Sequence, residues 1–336
     1  MKAMVLESFE KKLSLKDLSR PKPKEKEVLI KVSVCGVCRT DVHIINQELD
    51  PVNLPLILGH QIIGTIEKLS NKTSKHKIGE RVGVPWLGKS CQSCEFCLEG
   101  KENLCDNAEF TGYTKNGGFA EYCTAHEDYI FSIPSFYDDI KAAPLLCAGL
   151  IGYRAFKLAK ARKKIGLYGF GSSAHLLIQV ANHLGYDVYV FTRPKDEKKQ
   201  KFALSLGAVW AGGSDQMPPS LLDSCIIFAP VGKLYIRALQ AIKKGGHVIS
   251  AGIHMSDIPA FPYSFLWGER SISSVANLTR EDGYEFMKLL QDIHIESKVT
   301  CFPLNQANEA LLAIKQGQID GSVVLTIQNI RESNHG

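Results

Sequence analysis

The 336-residue sequence has no long apolar run. Its longest nearly apolar stretch, residues 142–152, is too short to cross a bilayer, which takes about 20 residues. The opening residues, Met1-Lys2-Ala3-Met4-Val5-Leu6-Glu7, lack the apolar core of a secretory signal, so a soluble, cytoplasmic protein is expected. An excess of one charge is lacking too: 40 Lys and Arg face 35 Asp and Glu, a net +5. The basic residues are scattered, with short clusters such as 72–77 and 195–201, whereas a nucleic-acid binder carries a denser stripe. There is no internal repeat and no low-complexity segment. Hydrophobic residues at 45% and charged residues at 22% are ordinary globular composition and exclude disorder, collagen and coiled coil. At roughly 100–200 residues per domain the length predicts two domains.

Cysteine is what the sequence has in quantity, with ten residues. Without an export signal these point to metal or catalysis rather than disulfides. Cys91, Cys94, Cys97 and Cys105 form C-x2-C-x2-C-x7-C, and four thiolates from one loop are the favoured ligands of a tetrahedral structural zinc. Short spacings close the loop at little entropic cost, and the metal stands in for a core the segment lacks. An iron–sulfur cluster is the rival, but one cysteine set alone, with no proline after the last cysteine, argues against it. A zinc-ribbon binding module is a non-enzyme rival. It would want basic and aromatic neighbours, whereas this lobe carries Glu95, Glu99, Glu102 and Asp106 against Lys89 and Lys101.

The first 150 residues read as β-rich, with a branched alternating strand at 28–34 and a turn entering another strand at 79–84. From about Lys164 short apolar runs alternate with helical patterns, which predicts an α/β doubly wound parallel sheet. Within it Gly169-Phe170-Gly171-Ser172-Ser173-Ala174 is G-x-G-x-x-A between a strand and a helix, the dinucleotide fingerprint. The first glycine makes the turn, the second admits the pyrophosphate, and Ala174 lets helix and strand pack closely. The next strand ends Phe191-Thr192-Arg193, and Asp187 lies at its start, the wrong end to hold a ribose 2′-hydroxyl. Arg193 stands where a 2′-phosphate would sit, with Lys195 and Lys198 adding to the field, so NADP(H) is favoured over NAD(H). The alternative is that Arg193 is a solvated loop charge.

Cys38, His60 and Cys147 are a possible Cys2His set for a catalytic zinc, though their spacing alone does not identify them. Together with Cys35-Gly36-Val37-Cys38, Gly59-His60, Val84-Pro85-Trp86-Leu87, the cysteine lobe, Phe110-Thr111-Gly112-Tyr113-Thr114 and the glycine turn, they run in a fixed order over essentially the whole chain. In this the sequence resembles the zinc-dependent alcohol dehydrogenases of the medium-chain dehydrogenase/reductase family, in particular the bacterial cinnamyl-alcohol-dehydrogenase-like branch. The resemblance implies a GroES-like catalytic domain with two zinc sites at 1–150, a Rossmann domain at 151–290, and a segment 291–336 returning to the first. It implies that Cys38, His60 and Cys147 hold the catalytic zinc, that Asp41 orients His60, and that Thr40 and His43 relay the proton. Arg39 would contact the cofactor pyrophosphate, Trp86 would wall the substrate pocket, and Val231, Ser250 and Gly252 would face the nicotinamide.

The implied reaction is reversible hydride transfer between NADP(H) and a primary aromatic or medium-chain alcohol or aldehyde, by a homodimer or homotetramer with neither nucleic acid nor membrane as partner. An NAD-dependent alcohol or polyol dehydrogenase is the alternative enzyme. A zinc-free quinone reductase would lack the thiols. One departure stands out: residue 61 is Gln, where the family usually has Glu after the zinc histidine. That removes a negative charge beside two thiolates.

Overall fold

The structure is a computed structural model and describes residues 1–50, 52–72, 75–317 and 319–327. It divides into two compact units, Met1–Cys147 with Asn277–Asp292 and Glu296–Gly336, and Ala148–Ala276 with Ile293–Ile295.

The first unit is built on the strand Glu27–Val37, whose eleven residues pair with three others. Gln61–Leu69, Tyr122–His126 and Ser322–Thr326 all lie antiparallel to it. The last comes from the C-terminal segment, with Leu325 opposite Cys35, and Val299–Pro303 adds a parallel edge strand beyond it. Arg81–Val84 and Phe131–Ser132 complete the other side. A smaller sheet joins Ser14–Asp17, Lys2–Leu6 and Leu56–Ile57. Val28, Ile30, Val32 and Val34 are buried, the branched residues that a half-covered strand favours.

The second unit is a six-stranded sheet in the spatial order Trp210–Gly213, Asp187–Thr192, Lys164–Tyr168, Leu222–Ile227, Ile242–Ser250, Ser271–Ser274. All its pairings are parallel. The order runs outward in both directions from Lys164–Tyr168, so the sheet is doubly wound with its switch point between Lys164–Tyr168 and Leu222–Ile227. Both faces are covered, which is why the central strands read as continuous apolar runs. Tyr168 stacks on Phe191 at 4.0 Å within this core.

The continuous stretch of the second unit runs to Ala276, and only Ile293–Ile295 joins it from beyond, whereas the resemblance implied a boundary at 290. The helix Arg280–Asp292 belongs with the first unit, where Arg280 pairs with Glu102 and Tyr284 meets Phe131 edge-on. Helical periodicity marks a helix but not which sheet it packs on. Among the described residues no single helix is long and apolar enough to cross a membrane. One bent pair, Asp139–Leu146 with Ala148–Ala159, reaches the mark by length and composition only.

Candidate active site and metal centres

Cys38 caps the start of the helix Arg39–Ile45, His60 precedes the strand Gln61–Leu69, and Cys147 follows the short turn of helix Ala143–Leu146. The first unit folds these three onto one point: a ligand atom of each lies within 4.8 Å of the others, and Cys38 Sγ is 3.9 Å from Cys147 Sγ. Two thiolates about 2.3 Å from a tetrahedral zinc lie about 3.8 Å apart. His60 is fully buried, and neither ring nitrogen has a hydrogen-bond partner, a costly state that a metal would relieve. The residues therefore fit a metal ion.

Asp41 organises this site from a fully buried position. Its Oδ2 accepts from Cys38 N at 2.8 Å, its Oδ1 accepts from Gly59 N at 3.2 Å, and Oδ1 lies 3.6 Å from His60 Nδ1. Gly59 has φ +95°, and a Cβ there would strike the Phe119 ring, so the chain reaches His60 only through glycine. Burial works against a charged His60, yet Asp41 and the Cys38 sulfur outweigh it and raise its pKa to about 10. The Cys147 thiol, donating to Cys38, holds Cys38 well below its usual range against burial, with His60 helping. Cys147 is correspondingly pushed well up. The pocket is electrostatically suited to a cation.

Thr40 Oγ1 lies 3.6 Å from Cys38 Sγ. His43 is buried one turn further along the same helix, with Nδ1 on the Glu48 carboxylate. Arg39 is exposed, and its Nη1 reaches the Lys315 carbonyl at 3.5 Å. Trp86 is buried, with its ring 4.8 Å from His60 in an edge contact. Phe110 and Tyr113 stack on it at 5.4 and 5.5 Å, distances of offset rather than face-to-face stacking. Sequence reading assigned neither of these two rings a role. Gln61 is buried against Gly36 of the neighbouring strand.

The four lobe sulfurs also lie within 4.8 Å of one another, and Cys91 Sγ and Cys97 Sγ are 3.9 Å apart. Backbone N–H groups of Ser93 and Cys94 donate to Cys91, and that of Cys91 donates to Cys105. The Ser93 N–H leads in drawing Cys91 down to about 6. At Cys94 the Cys97 N–H favours the thiolate, but burial and the surrounding sulfurs win and push it up to about 12. Four sulfurs this close cannot all ionise without a cation, so this donor set fits a metal as well. Glu102 does not belong to the lobe's surface charge, as the sequence suggested. It is buried, and its Oε1 accepts from Arg280 N at 2.9 Å and Arg280 Nε at 3.1 Å. Arg280 also lies over the Tyr129 ring, whose hydroxyl meets Ser90 Oγ at 2.8 Å, and Ser90 Oγ is 3.3 Å from Cys97 Sγ. No spacing in the sequence marks this chain of contacts, because its members are up to 190 positions apart.

In the second unit the glycine turn follows the strand Lys164–Tyr168 and opens the helix Ser172–His183. Gly169 has φ +92° and sits 3.0 Å from Ala229 at its would-be Cβ, so it makes the turn. A Cβ on Gly171 would meet nothing within 4 Å, which leaves open space over the helix N-terminus. Gly171 is the N-cap and supplies no side-chain acceptor to the first N–H groups, among them those of Ser172, Ser173 and Ala174. This is a cradle suited to a pyrophosphate. Asp187 is the first residue of its strand and Thr192 the last. Thr192 is buried, accepting from Gln200 Nε2, while Arg193 is exposed and has no ion-pair partner among the described residues. Lys198 is the second residue of the next helix, Glu197–Ser205. Val231, Ser250 and Gly252 fall at or just beyond the same C-terminal ends of the sheet, Ser250 closing the strand Ile242–Ser250.

Fold and site together define a metal-dependent dehydrogenase with a nucleotide-binding sheet. The sequence matches the alcohol dehydrogenase GroES-like domain over residues 24–135. It is 40% identical over 315 residues to the protein named probable alcohol dehydrogenase AdhA of Mycobacterium tuberculosis, covering 91% of this chain and 90% of that one. Its fold matches the CAD of Helicobacter pylori complexed with NADP(H) at a TM-score of 0.87, with 25% identity and 98% of each chain covered. It matches acetophenone reductase of Geotrichum candidum in complex with NAD at the same TM-score, with 27% identity and 97% of each chain covered. The chain belongs to the zinc-dependent alcohol dehydrogenases of the medium-chain dehydrogenase/reductase family. It is an oxidoreductase acting on CH–OH groups.

Proposed function

We propose that this enzyme transfers hydride reversibly between NADP(H) and primary aromatic or medium-chain alcohols and aldehydes. In this reading it holds two zinc ions per chain and works as a homo-oligomer, a dimer or tetramer. Cys38, His60 and Cys147 hold the catalytic ion, and Cys91, Cys94, Cys97 and Cys105 hold the structural one. Zinc bound at the first site supplies Lewis-acid polarisation of the substrate oxygen. The chain's own residues do the rest. Asp41 fixes the His60 ring and both backbone segments that carry the ligands. Thr40 offers a hydroxyl that both accepts and donates a proton, and His43 an imidazole able to carry it onward. The Trp86 ring, with Phe110 and Tyr113 stacked on it, puts an apolar wall beside His60, which favours an aromatic or long aliphatic substituent.

The cofactor preference rests on one observation: the strand Asp187–Thr192 ends without a carboxylate and is followed by the exposed Arg193. A phosphate monoester carries about −1.5 to −2 charges and suits a guanidinium. Cinnamaldehyde reduction is expected to show a higher kcat/KM with NADPH than with NADH. Arg193→Ala should remove at least about tenfold of that ratio, the loss of one charge-assisted pair. Equal values for the two cofactors in the wild-type enzyme would overturn the preference and leave the dehydrogenase.

A further inference from the structure

We propose that Glu48 is the outer end of the proton path, taking the proton from His43 and releasing it to water. This rests on the reading of His43 as a relay residue.

Thr40 and His43 stand three residues apart on the helix Arg39–Ile45 and so share a face. A terminal relay histidine must meet bulk water, yet the His43 side chain is only 10% exposed. Its Nδ1 is covered by Glu48 Oε2. The Glu48 side chain is 33% exposed and therefore touches the solvent that the ring does not. Its position is built rather than incidental. The chain turns back after the helix, with Asn46 N donating to the Val42 carbonyl at 3.0 Å and Glu48 N donating to the His43 carbonyl at 2.9 Å. Asn46 Nδ2 then donates to Glu48 Oε1 at 2.9 Å, leaving Oε2 on the imidazole.

A carboxylate on Nδ1 keeps the proton of the neutral ring on that nitrogen and leaves Nε2 as the acceptor. A proton arriving at Nε2 makes the ring cationic. The Nδ1 proton then passes to Glu48, and the carboxylic acid loses it to water. The ring returns to neutrality in the other tautomer, and it is reset when Nδ1 regains a proton from water through Glu48 and Nε2 gives one up to water as the products leave. Over one turnover the alcohol carbon gives a hydride to the nicotinamide, and the hydroxyl proton leaves through this path. One proton enters the pair and one leaves it.

The experiment follows alcohol oxidation by the zinc- and cofactor-loaded enzyme at constant pH. Glu48→Gln keeps the size and polarity of the side chain but cannot accept a proton. It should lower kcat roughly tenfold, less than the ~100-fold or more typical of a direct general acid–base group, with KM changed less than about twofold. In a weakly buffered solution with a pH indicator, proton release should lag behind formation of reduced cofactor in Glu48→Gln and keep pace with it in wild type. Glu48→Ala should regain rate as formate or imidazole is added, and wild type should not respond. His43→Gln should be slow, and the double variant His43→Gln/Glu48→Gln no slower. Wild-type kcat and prompt proton release in Glu48→Gln, with His43→Gln still slow, would overturn the role of Glu48 and keep the relay. A fast His43→Gln would overturn the relay reading and this proposal with it.

Discussion

The two thiol sites reach similar local geometry by opposite routes. The lobe draws four sulfurs from fifteen consecutive residues, and the other site draws two sulfurs and an imidazole from positions spread between 38 and 147. In the lobe the short helix Glu95–Leu98 buries none of its residues, and Leu98 and Leu104 are 75% and 42% exposed. The distributed site sits on a sheet that is already packed, with His60 and Asp41 fully buried. A local chelate can organise its own loop at small entropic cost, so metal and fold are one thing there. The distributed site depends on the fold for its geometry, and the fold need not depend on it.

The sharpest test of this contrast is a single ligand removed from each. Cys147→Ala should cut alcohol oxidation by at least about 1000-fold, several kcal/mol of transition-state charge stabilisation, while the melting temperature stays close to wild type. Cys94→Ala should release lobe zinc and open residues 91–105 to limited proteolysis. If Cys147→Ala unfolds the protein, or Cys94→Ala leaves the lobe protected, the contrast is broken.

The protonation states make a second distinction measurable. Without metal, Asp41 and the Cys38 sulfur outweigh burial and raise the His60 pKa to about 10, Cys38 and burial push Cys147 well up, and Cys147, against burial and with help from His60, holds Cys38 well below its usual range. Zinc entering this site must displace protons, that of His60 among them, so its affinity should rise with pH near neutrality and fall as the solution is acidified. Calorimetric titration of zinc into the metal-free lobe variant, in buffers of different ionisation enthalpy, counts the protons. A count near zero would show that the site is not organised by Asp41 as described.

A smaller effect is expected where the lobe is tied to the helix Arg280–Asp292. Burial alone would raise the Glu102 pKa, but the Arg280 backbone N–H and guanidinium outweigh it and lower it. Its stabilisation is therefore present above the ordinary carboxylate range, near 4.3, and fades as pH falls through the lowered value. Glu102→Gln should cost about 1–3 kcal/mol at pH 7, with the difference from wild type shrinking toward pH 3. Thermal melting across that range checks the sign. The smallest effect is at Gln61. Gln61→Glu adds a buried negative charge beside the Cys38, His60 and Cys147 set, and should move the pH–rate profile of alcohol oxidation upward by a fraction of a unit to about one unit. An unmoved profile would mean that this position does not tune the site.

Local features were legible in the sequence wherever a short segment carries its own physical logic. The lobe spacing, the glycine turn, the strands around 165–169 and 188–191 and the helix ended by Gly207 all depend on neighbours a few residues away. Cys38, His60 and Cys147 were legible only through the resemblance, because a lone cysteine or histidine looks like any core residue. The Phe110 and Tyr113 rings on Trp86 and the Glu48 cap on His43 were not assigned at all.

What the sequence by itself determined is therefore the donor set of the lobe, the dinucleotide turn and the alternation that makes a parallel sheet, since these follow from spacing and periodicity. The tertiary structure decided which donors share a point, that the helix Arg280–Asp292 packs with the lobe rather than with the second sheet, and that Glu102 is a buried tether. Each of those depends on contacts between residues distant in the chain, and only the packed first unit brings them within hydrogen-bonding or ligand distance.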